Sequence, residues 1–575
     1  MRKRTVLVVL VLVLLWSVFI ASLFLEGPAQ VEPKIIYVDT SNVGDPAEDG
    51  SLEHPFDRIR EGVDEASPGY TVHVAPGTYY ENVVINKSSI SLVGEENTII
   101  DGDGAGTIIY VTGQNVNVSG LTAQNGYQGI SLAGSNITLS GNNVLNNSFV
   151  GITVSGERNT LRENHMTDNM YNFRIAGEIS RYSTHRVEAS NTVDGKPIYY
   201  WVNQHNRQVP TDAGYAAVIN SINITVTRLN LSSNWQGILF VNTTDSTIKD
   251  VNVSKCRVSI AFEHCGFNTA RNNTLSQNFL SISIDESNDN ILRHNNMRDN
   301  QYNFAVKGSR LSDFIQDVDV SNTIDGKPVY YLTNQKNLVI DSYPFQAIGY
   351  LGMVNSTNVR VKDLTITNNG QGVLFAQTTN STIINVKALD NLEGISLWNS
   401  SGNTIIRNTI SKNNEAIRLV GSKGNKFSEN TLSQNSLSIK IENSSDNTFY
   451  RNNFLNNTGQ VDTTGSISTW DDGLEGNYWS DYNGTDNNGD GVGDIPYMIN
   501  ENNQDNYPLM NPWKVVLGDL NEDGVVNELD LLIWADAMGS YPGHERWNPV
   551  ADVDGDGLVD LYDAILILKN IRKGD

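Results

Sequence analysis

Cysteine is almost missing from this chain, with two residues in 575. That excludes a disulfide-stapled scaffold and a zinc-ribbon protein. Basic residues are also short: 40 Lys and Arg face 65 Asp and Glu, a formal net charge of −25. With no surplus of positive charge to neutralise phosphates, no nucleic-acid partner is expected. Beyond residue 25 no apolar run is long enough to span a membrane. Charged residues make up only 18%, too few for a disordered acidic chain, while 39% hydrophobic residues suffice for a sizeable core. What is plentiful is Asn, Ser, Thr and Gly, and the Asn recurs in a pattern.

The one long apolar run is at the start. Arg2, Lys3 and Arg4 precede Val6 to Leu25, a stretch of about 20 residues that as a helix matches roughly 30 Å of hydrocarbon. Glu26 and Pro28 spoil the candidate small-residue cleavage sites, so residues 1–34 are expected to be a transmembrane anchor plus linker rather than a cleaved signal peptide. Either way the basic residues stay inside and the rest of the chain lies outside the cell.

The string N-x-h-x-x-N, with h apolar, recurs as NTARNN (268–273), NILRHN (290–295), NTIIRN (403–408), NKFSEN (425–430) and NTFYRN (447–452), and the steps 268 to 290, 403 to 425 and 425 to 447 are each 22 residues. A looser copy runs from Asn136 to Asn159. Between these strings lie short alternating stretches such as GISL, GITV, SISI, GILF, GVLF, AIRL and SIKI, which predict strands. Three short strands in a period of this length describe one rung of a parallel β-helix. A single rung cannot bury its inward face, but stacked rungs about 4.8 Å apart bury a continuous apolar column. Asn suits the corners, because it tolerates left-handed backbone and its amide can bond the same amide one rung away. A propeller repeat is nearly twice as long. The predicted span is 35–513. Phe56, Ile59, Val63 and Ala66 fall at helical spacing, predicting a helix over 56–67 that closes the open end of the stack. Strands are expected around Thr71–Val74, Asn82–Ile85 and Ile90–Val93.

PGTYYENVVINKSSISLVGE and the later Asn rungs resemble the pectin-lyase-like right-handed β-helix superfamily. More narrowly, they look like archaeal relatives of NosD, the carbohydrate-binding and sugar-hydrolase (CASH) repeat group. Residues 476–513, beginning GNYWSDYNGTDNNGDGVGD, are similar to the usual close of that group. The resemblance implies an all-β, pectin-lyase-like solenoid over about 35–513. For function it leaves open three roles: binding of polysaccharide or envelope glycan, a polysaccharide lyase or glycoside hydrolase, and an accessory protein in metal-site maturation.

A longer duplication lies over the short one. SNTVDGKPIYYWVNQ (190–204) returns as SNTIDGKPVYYLTNQ (321–335), and QGILF (236–240) returns as QGVLF (371–375). Each DGKP turn with its aromatic strand breaks the 22-residue step, so a hairpin is expected beside the solenoid near 190–204 and 321–335. Tyr199 and Trp201 should face one way and Tyr200 the other.

The sharpest chemistry is at the C-terminus. DLNEDGVVNELD (519–530) and DVDGDGLVDLYD (552–563) fit the twelve-residue calcium loop, with oxygen at positions 1, 3, 5, 7, 9 and 12 and Gly at 6. The first set is Asp519, Asn521, Asp523, the Val525 carbonyl, Asn527 and Asp530, turning at Gly524. The second is Asp552, Asp554, Asp556, the Leu558 carbonyl, Asp560 and Asp563, turning at Gly557. An apolar helix is predicted after each loop. Two such loops, each with an exiting helix, resemble a dockerin domain over 514–575, which implies calcium and a cohesin-bearing partner. The residues at loop positions 10 and 11, Glu528–Leu529 and Leu561–Tyr562, are not the hydroxyl pairs of well-known dockerins. A third, less complete loop at 486–494 offers Asp486, Asn488, Asp490 and Asp494 around Gly491, with no acid at position 12.

Catalytic residues stand out less. Acid pairs occur at Asp101/Asp103, Asp285/Glu286 and Asp471/Asp472, none within a recognisable lyase or galacturonase string. Asp471 and Asp472 are the first candidates, because Trp470 beside them could stack on a sugar ring. Copper would want clustered His, Met or Cys, yet the eight His are scattered and only His264–Cys265 are adjacent. Cys256 and Cys265 could pair outside the cell. Fifteen N-x-[ST] sequons, among them Asn117, Asn136, Asn223 and Asn355, are potential glycan acceptors.

Overall fold

The computed structural model describes residues 34–341, 345, 347–514, 517–521, 526–541, 543–548 and 550–571. The expected N-terminal anchor therefore lies outside the described residues. Among those described, no helix is long and apolar enough to cross a membrane. The chain divides into two compact units, one ending at Tyr200 and the other beginning at Trp201. Each is built as a parallel β-solenoid.

In the first unit, short strands stack in parallel, rung on rung. One face runs Ile35–Val38, Thr71–Val74, Ser91–Gly94, Asn117–Ser119, Thr138–Ser140, Thr160–Arg162, Arg186–Val187. Another runs Val83–Ile85, Thr107–Val111, Gln128–Leu132, Val150–Val154, Tyr171–Ile175. In the second unit Ile238, Ile260, Ile282 and Phe304 are successive register partners, as are Ile395, Ile417 and Ile439. All seven are fully or almost fully buried. The apolar periodicity thus becomes a column of like side chains, each burying its area against the rung above and below.

The Asn strings form the corners, with a division of labour that the sequence did not show. Asn408, Asn430, Asn452 and Asn477 form a ladder in which each side-chain Nδ2 donates to the next Oδ1 at 2.9 Å. A second ladder runs Asn403, Asn425, Asn447 at 3.0 Å per step. These Asn are buried and are not themselves left-handed. For all but Asn477 the positive φ falls on the residue before: Arg407, Glu429, Arg451, Gly402, Gly424 and Asp446. Burial of the amide, not tolerance of φ, is what requires Asn there.

The capping helix is Ile59–Glu65, shorter than predicted. Phe56 instead bridges Val38 and exchanges backbone hydrogen bonds with Tyr37 and Asp39, so strand pairing holds the first residues of the predicted helix. Glu81 caps the helix by accepting from the amides of Ile59 (2.7 Å) and Arg60 (3.1 Å). A Cβ on Gly62 would stand 2.8 Å from Val38, so only Gly allows the helix this close to the first rung.

Both inserted hairpins form: Thr192–Val193 with Lys196–Val202, and Thr323–Ile324 with Lys327–Thr333, antiparallel. The second does not stand beside the solenoid as expected. Its long arm pairs in parallel with Tyr350–Val354 and is itself part of a rung. Tyr200 is buried, while Tyr199 and Trp201 are half-buried.

Candidate calcium centre and docking face

The second C-terminal loop gathers its acids. Carboxylate oxygens of Asp552, Asp554 and Asp563 lie within 4.8 Å of one another. Ligand oxygens around one Ca²⁺, each at about 2.3–2.6 Å, span at most about 5 Å, so the spacing fits a single calcium ion. Local sequence explains the convergence. Gly557, at φ 89°, turns the loop so that its amide donates to Asp552 Oδ2 at 3.0 Å. Asp563 folds back to accept from the amides of Val553 (2.6 Å), Asp554 (3.1 Å) and Asp560 (2.8 Å). Asp560 caps the helix Leu561–Asn570, accepting from Tyr562 N. Asp552 is buried, its Oδ1 has no hydrogen-bond partner, and burial pushes its carboxyl up to about 6 against the pull of Arg360. A buried carboxylate oxygen with an unused lone pair is what an incoming cation satisfies.

The first loop repeats the frame. Asp530 accepts from Leu520 N (2.5 Å), Asn521 N (3.1 Å) and Asn527 N (2.8 Å), and Asn527 caps the helix Glu528–Ala537. Asp523, Gly524 and Val525 lie outside the described residues. The two halves share a core of Leu520, Val526, Ala537, Ala551, Val553, Val559 and Ile567, and Trp534 Nε1 donates to Asp560 O at 2.8 Å.

Beside the loops the helices present apolar side chains to solvent. Leu529 and Leu532 are exposed on one, and Leu561, Tyr562, Ile565 and Leu568 on the other. The last four share one helical face by spacing. Loop positions 10 and 11 of both loops thus sit on the exposed surface.

The other predicted positions fare differently. At 486–494 the carboxylates bond to loop amides: Asp486 takes Gly489 N and Gly491 N, Asp490 takes Val492 N, and Asp494 takes Asn487 N. They are not among the groups of three that converge, and Asn488 instead donates to Asp490. Asp471 accepts from Gly473 N and Asn506, and Asp472 from Leu474 N and Glu475 N. Trp470 is fully buried and stacked on Phe449 at 4.5 Å, so it offers no face to a sugar. Asp101 accepts from Gln124 and Asn125. Burial would raise its carboxyl, but these bonds and Asp103 N hold it below the usual range. Sequence reading missed a second converging set, Glu48, Asp57 and Glu61, because its members belong to no motif.

Cys256 and Cys265, whose pairing the sequence left open, are both free and buried. Burial pushes both thiols up to about 12.

Three stretches, 71–204, 202–326 and 312–484, match the model of the family described as periplasmic copper-binding protein (NosD). Together they cover more than half the chain, which belongs to that family. Residues 517–572 match the dockerin type I domain. None of the curated proteins matches the chain. Among solved structures it is similar to the A-module of mannuronan C-5 epimerase AlgE6 from Azotobacter vinelandii. That likeness has 15% identity over 75% of this chain and 99% of that one, at a TM-score of 0.20. It is also similar to pectate lyase Pel9A (14%, 77% and 82%, TM-score 0.22) and to an alginate lyase from Paenibacillus sp. (11%, 60% and 97%, TM-score 0.22).

The side chains do not suit the copper of the family's description. Among the described residues, the groups of three converging ligands are all carboxylates, and hard oxygen donors favour calcium over copper. The buried, protonated thiols and His264, 3.4 Å from Glu286, make no copper set.

Proposed function

We propose that this member of the NosD family is an exported, cell-surface β-helix protein. Its dockerin attaches it, in a calcium-dependent way, to a cohesin-bearing partner, while the solenoid engages polysaccharide or envelope glycan. The observation that carries the docking half is the convergence of Asp552, Asp554 and Asp563 directly beside the exposed Leu561 and Tyr562. Calcium would supply the charge that fixes the loop. The chain's own residues orient it: Gly557 makes the turn, Asp563 ties three amides, and Asp560 starts the helix that carries the apolar face. The apolar run Val6–Leu25 behind Arg2–Arg4 supports export, and the family description places relatives in the periplasm.

The test is capture of cohesin-bearing proteins by the full chain in calcium, with release by EGTA. Asp552→Ala and Asp563→Ala should abolish capture. Equal capture in EGTA, or none in calcium, would overturn the docking half.

One observation favours an enzymatic reading. Glu263 and Asp285 are register partners on neighbouring strands, so two acidic residues stand on adjacent rungs, as the paired carboxyls of a glycosidase require. Burial, then Asp285, pushes Glu263 up to about 7, where a general acid is effective. Sugar release lost in Glu263→Gln would establish it.

A further inference from the structure

The second copy of the duplicated block carries charges that the first lacks. Strands Gln236–Val241, Val258–Glu263, Leu280–Asp285 and Tyr302–Lys307 of one copy correspond to Gln371–Ala376, Glu393–Trp398, Glu415–Val420 and Leu437–Glu442 of the other. Both keep a Tyr hydroxyl bonded to a Gln: Tyr215 to Gln236 at 3.4 Å and Tyr350 to Gln371 at 3.1 Å. Where the first copy has Val258, Leu280 and Ser283, the second has Glu393, Glu415 and Arg418. The first copy forms the same parallel ladder without these charges, so the fold does not need them. Charges taken partly out of water are costly unless paired.

Here they are gathered around a cleft. Arg418 Nη1 lies 3.0 Å from Glu415, Nη2 3.2 Å from Glu442, and Nε 3.9 Å from Glu393. Burial would lower the guanidinium, but the three glutamates hold it above its ordinary value. Lys440 bridges Glu442 at 3.2 Å and Glu415 at 3.7 Å. Glu393 is different. Its side chain is only 8% exposed, yet every approach to its carboxylate is long: Gln371 Nε2 at 3.5 Å, Lys307 Nζ and Arg418 Nε at 3.9 Å. These are at or beyond the limit of a hydrogen bond, so this buried carboxylate keeps acceptor capacity. Gln371 is itself fixed, its Oε1 taking Val306 N (3.2 Å) and Tyr350 Oη.

An aromatic wall closes one side. The short helix Leu311–Phe314 follows Tyr302–Lys307 and sets Phe314 against Trp398 at 4.6 Å. Tyr331 Oη donates to Phe314 O at 2.6 Å and pins the wall. Lys307, Phe314, Gln371, Glu393, Trp398 and Arg418 line a cavity of about 210 Å³. That is room for about seven waters and smaller than drug-sized sites, which begin at about 300 Å³.

We infer that this cleft is a binding subsite for one neutral pyranose unit of a polysaccharide. An apolar wall opposite a carboxylate and an ammonium suits a sugar ring, with one C–H face and a rim of hydroxyls. The three glutamates balance Lys307, Arg418 and Lys440, and Arg418 already serves three carboxylates. A uronate would set its own charge beside Glu393, so the cleft selects against it. The inference rests on the reading of the solenoid as a glycan binder and narrows it to a place and a sugar class.

The test titrates the full chain, with calcium present, by calorimetry against cellotetraose, chitotetraose and tetragalacturonate. Retention on insoluble polysaccharide is measured in parallel. A neutral tetrasaccharide should bind, tetragalacturonate should not, and Glu393→Gln and Trp398→Ala should each weaken binding by roughly tenfold or more. Glu393→Gln keeps the side chain's shape, so an unchanged melting temperature separates lost contact from lost fold. Unchanged affinity in both variants, or preference for tetragalacturonate, overturns the inference. So does retention on insoluble polysaccharide without tetrasaccharide binding, which leaves the general glycan reading standing. Loss of retention as well would remove both.

Discussion

Arg360, on the strand Arg360–Lys362, sets its Nη2 3.4 Å from Oδ2 of Asp552, which opens the second acidic loop of the dockerin. The Asp552 side chain is fully buried and that of Arg360 is 17% exposed, while Arg360 Nε and Asp552 Oδ1 are buried without partners. The guanidinium thus stands where it neutralises the loop without calcium and repels the ion that replaces it. Arg360→Ala should tighten calcium at the second loop by roughly 5- to 50-fold, about 1–2 kcal/mol, while the first loop is unaffected. Calorimetric calcium titration of the variant decides this, and weaker binding would refute it.

Calcium removal should act on the C-terminal domain alone. At a free concentration near a hundred times Kd, calcium adds about 2.7 kcal/mol to whatever folds around it. EGTA should therefore lower the transition reported by Trp534 and Trp547 and leave that of the solenoid in place. Asp563→Asn should cost about 1–3 kcal/mol even in EGTA, because it holds three backbone amides.

His185 makes the first unit sensitive to acid. It occupies a corner where the second copy has Gln316, which accepts from Asn290 N at 3.0 Å, as His185 Nδ1 accepts from Asn159 N at 3.4 Å. Burial pushes the imidazole down to about 4. The unfolded chain takes up the proton near pH 6.5 and the folded chain resists it until about 4. Stability is therefore full above pH 6.5 and falls by about 2–3 kcal/mol as pH drops to 4. His185→Gln should flatten that slope, measured by urea unfolding across the interval.

The Asn ladder should be intolerant of truncation. Asn430 donates to Ile405 O and Asn452 Oδ1 and accepts from the amide and side chain of Asn408. Asn430→Ala strands all of these in the interior and should cost about 3–5 kcal/mol. The exposed Lys412, at φ 58°, should tolerate Gly within about 1 kcal/mol. Comparable losses at both sites in chemical unfolding would contradict the assignment of burial to one and φ to the other.

The solenoid, its Asn corners and the C-terminal dockerin were legible because each rests on short-range order. A rung bonds to the rung one period away, so periodicity in the chain is contact in space, and a twelve-residue loop carries its own ligands. Trp470 misled for the complementary reason: beside two acids it looks like a sugar platform, and only the stack with Phe449 shows that it closes the core. Likewise the hairpin at 323–333 was visible as a turn, but not its long arm's place in the ladder.

The amino-acid order by itself determined that the chain winds into stacked rungs and that its tail carries a dockerin with two acidic twelve-residue loops. The tertiary structure alone decided that Lys307 and Phe314 come to face Glu393 and Trp398, and that Arg360 meets Asp552. Those partners are separated by many rungs of chain and share no period. Their meeting depends on how the inserted turn and the C-terminal loop pack back on the solenoid, a sum of side-chain contacts that no local pattern encodes.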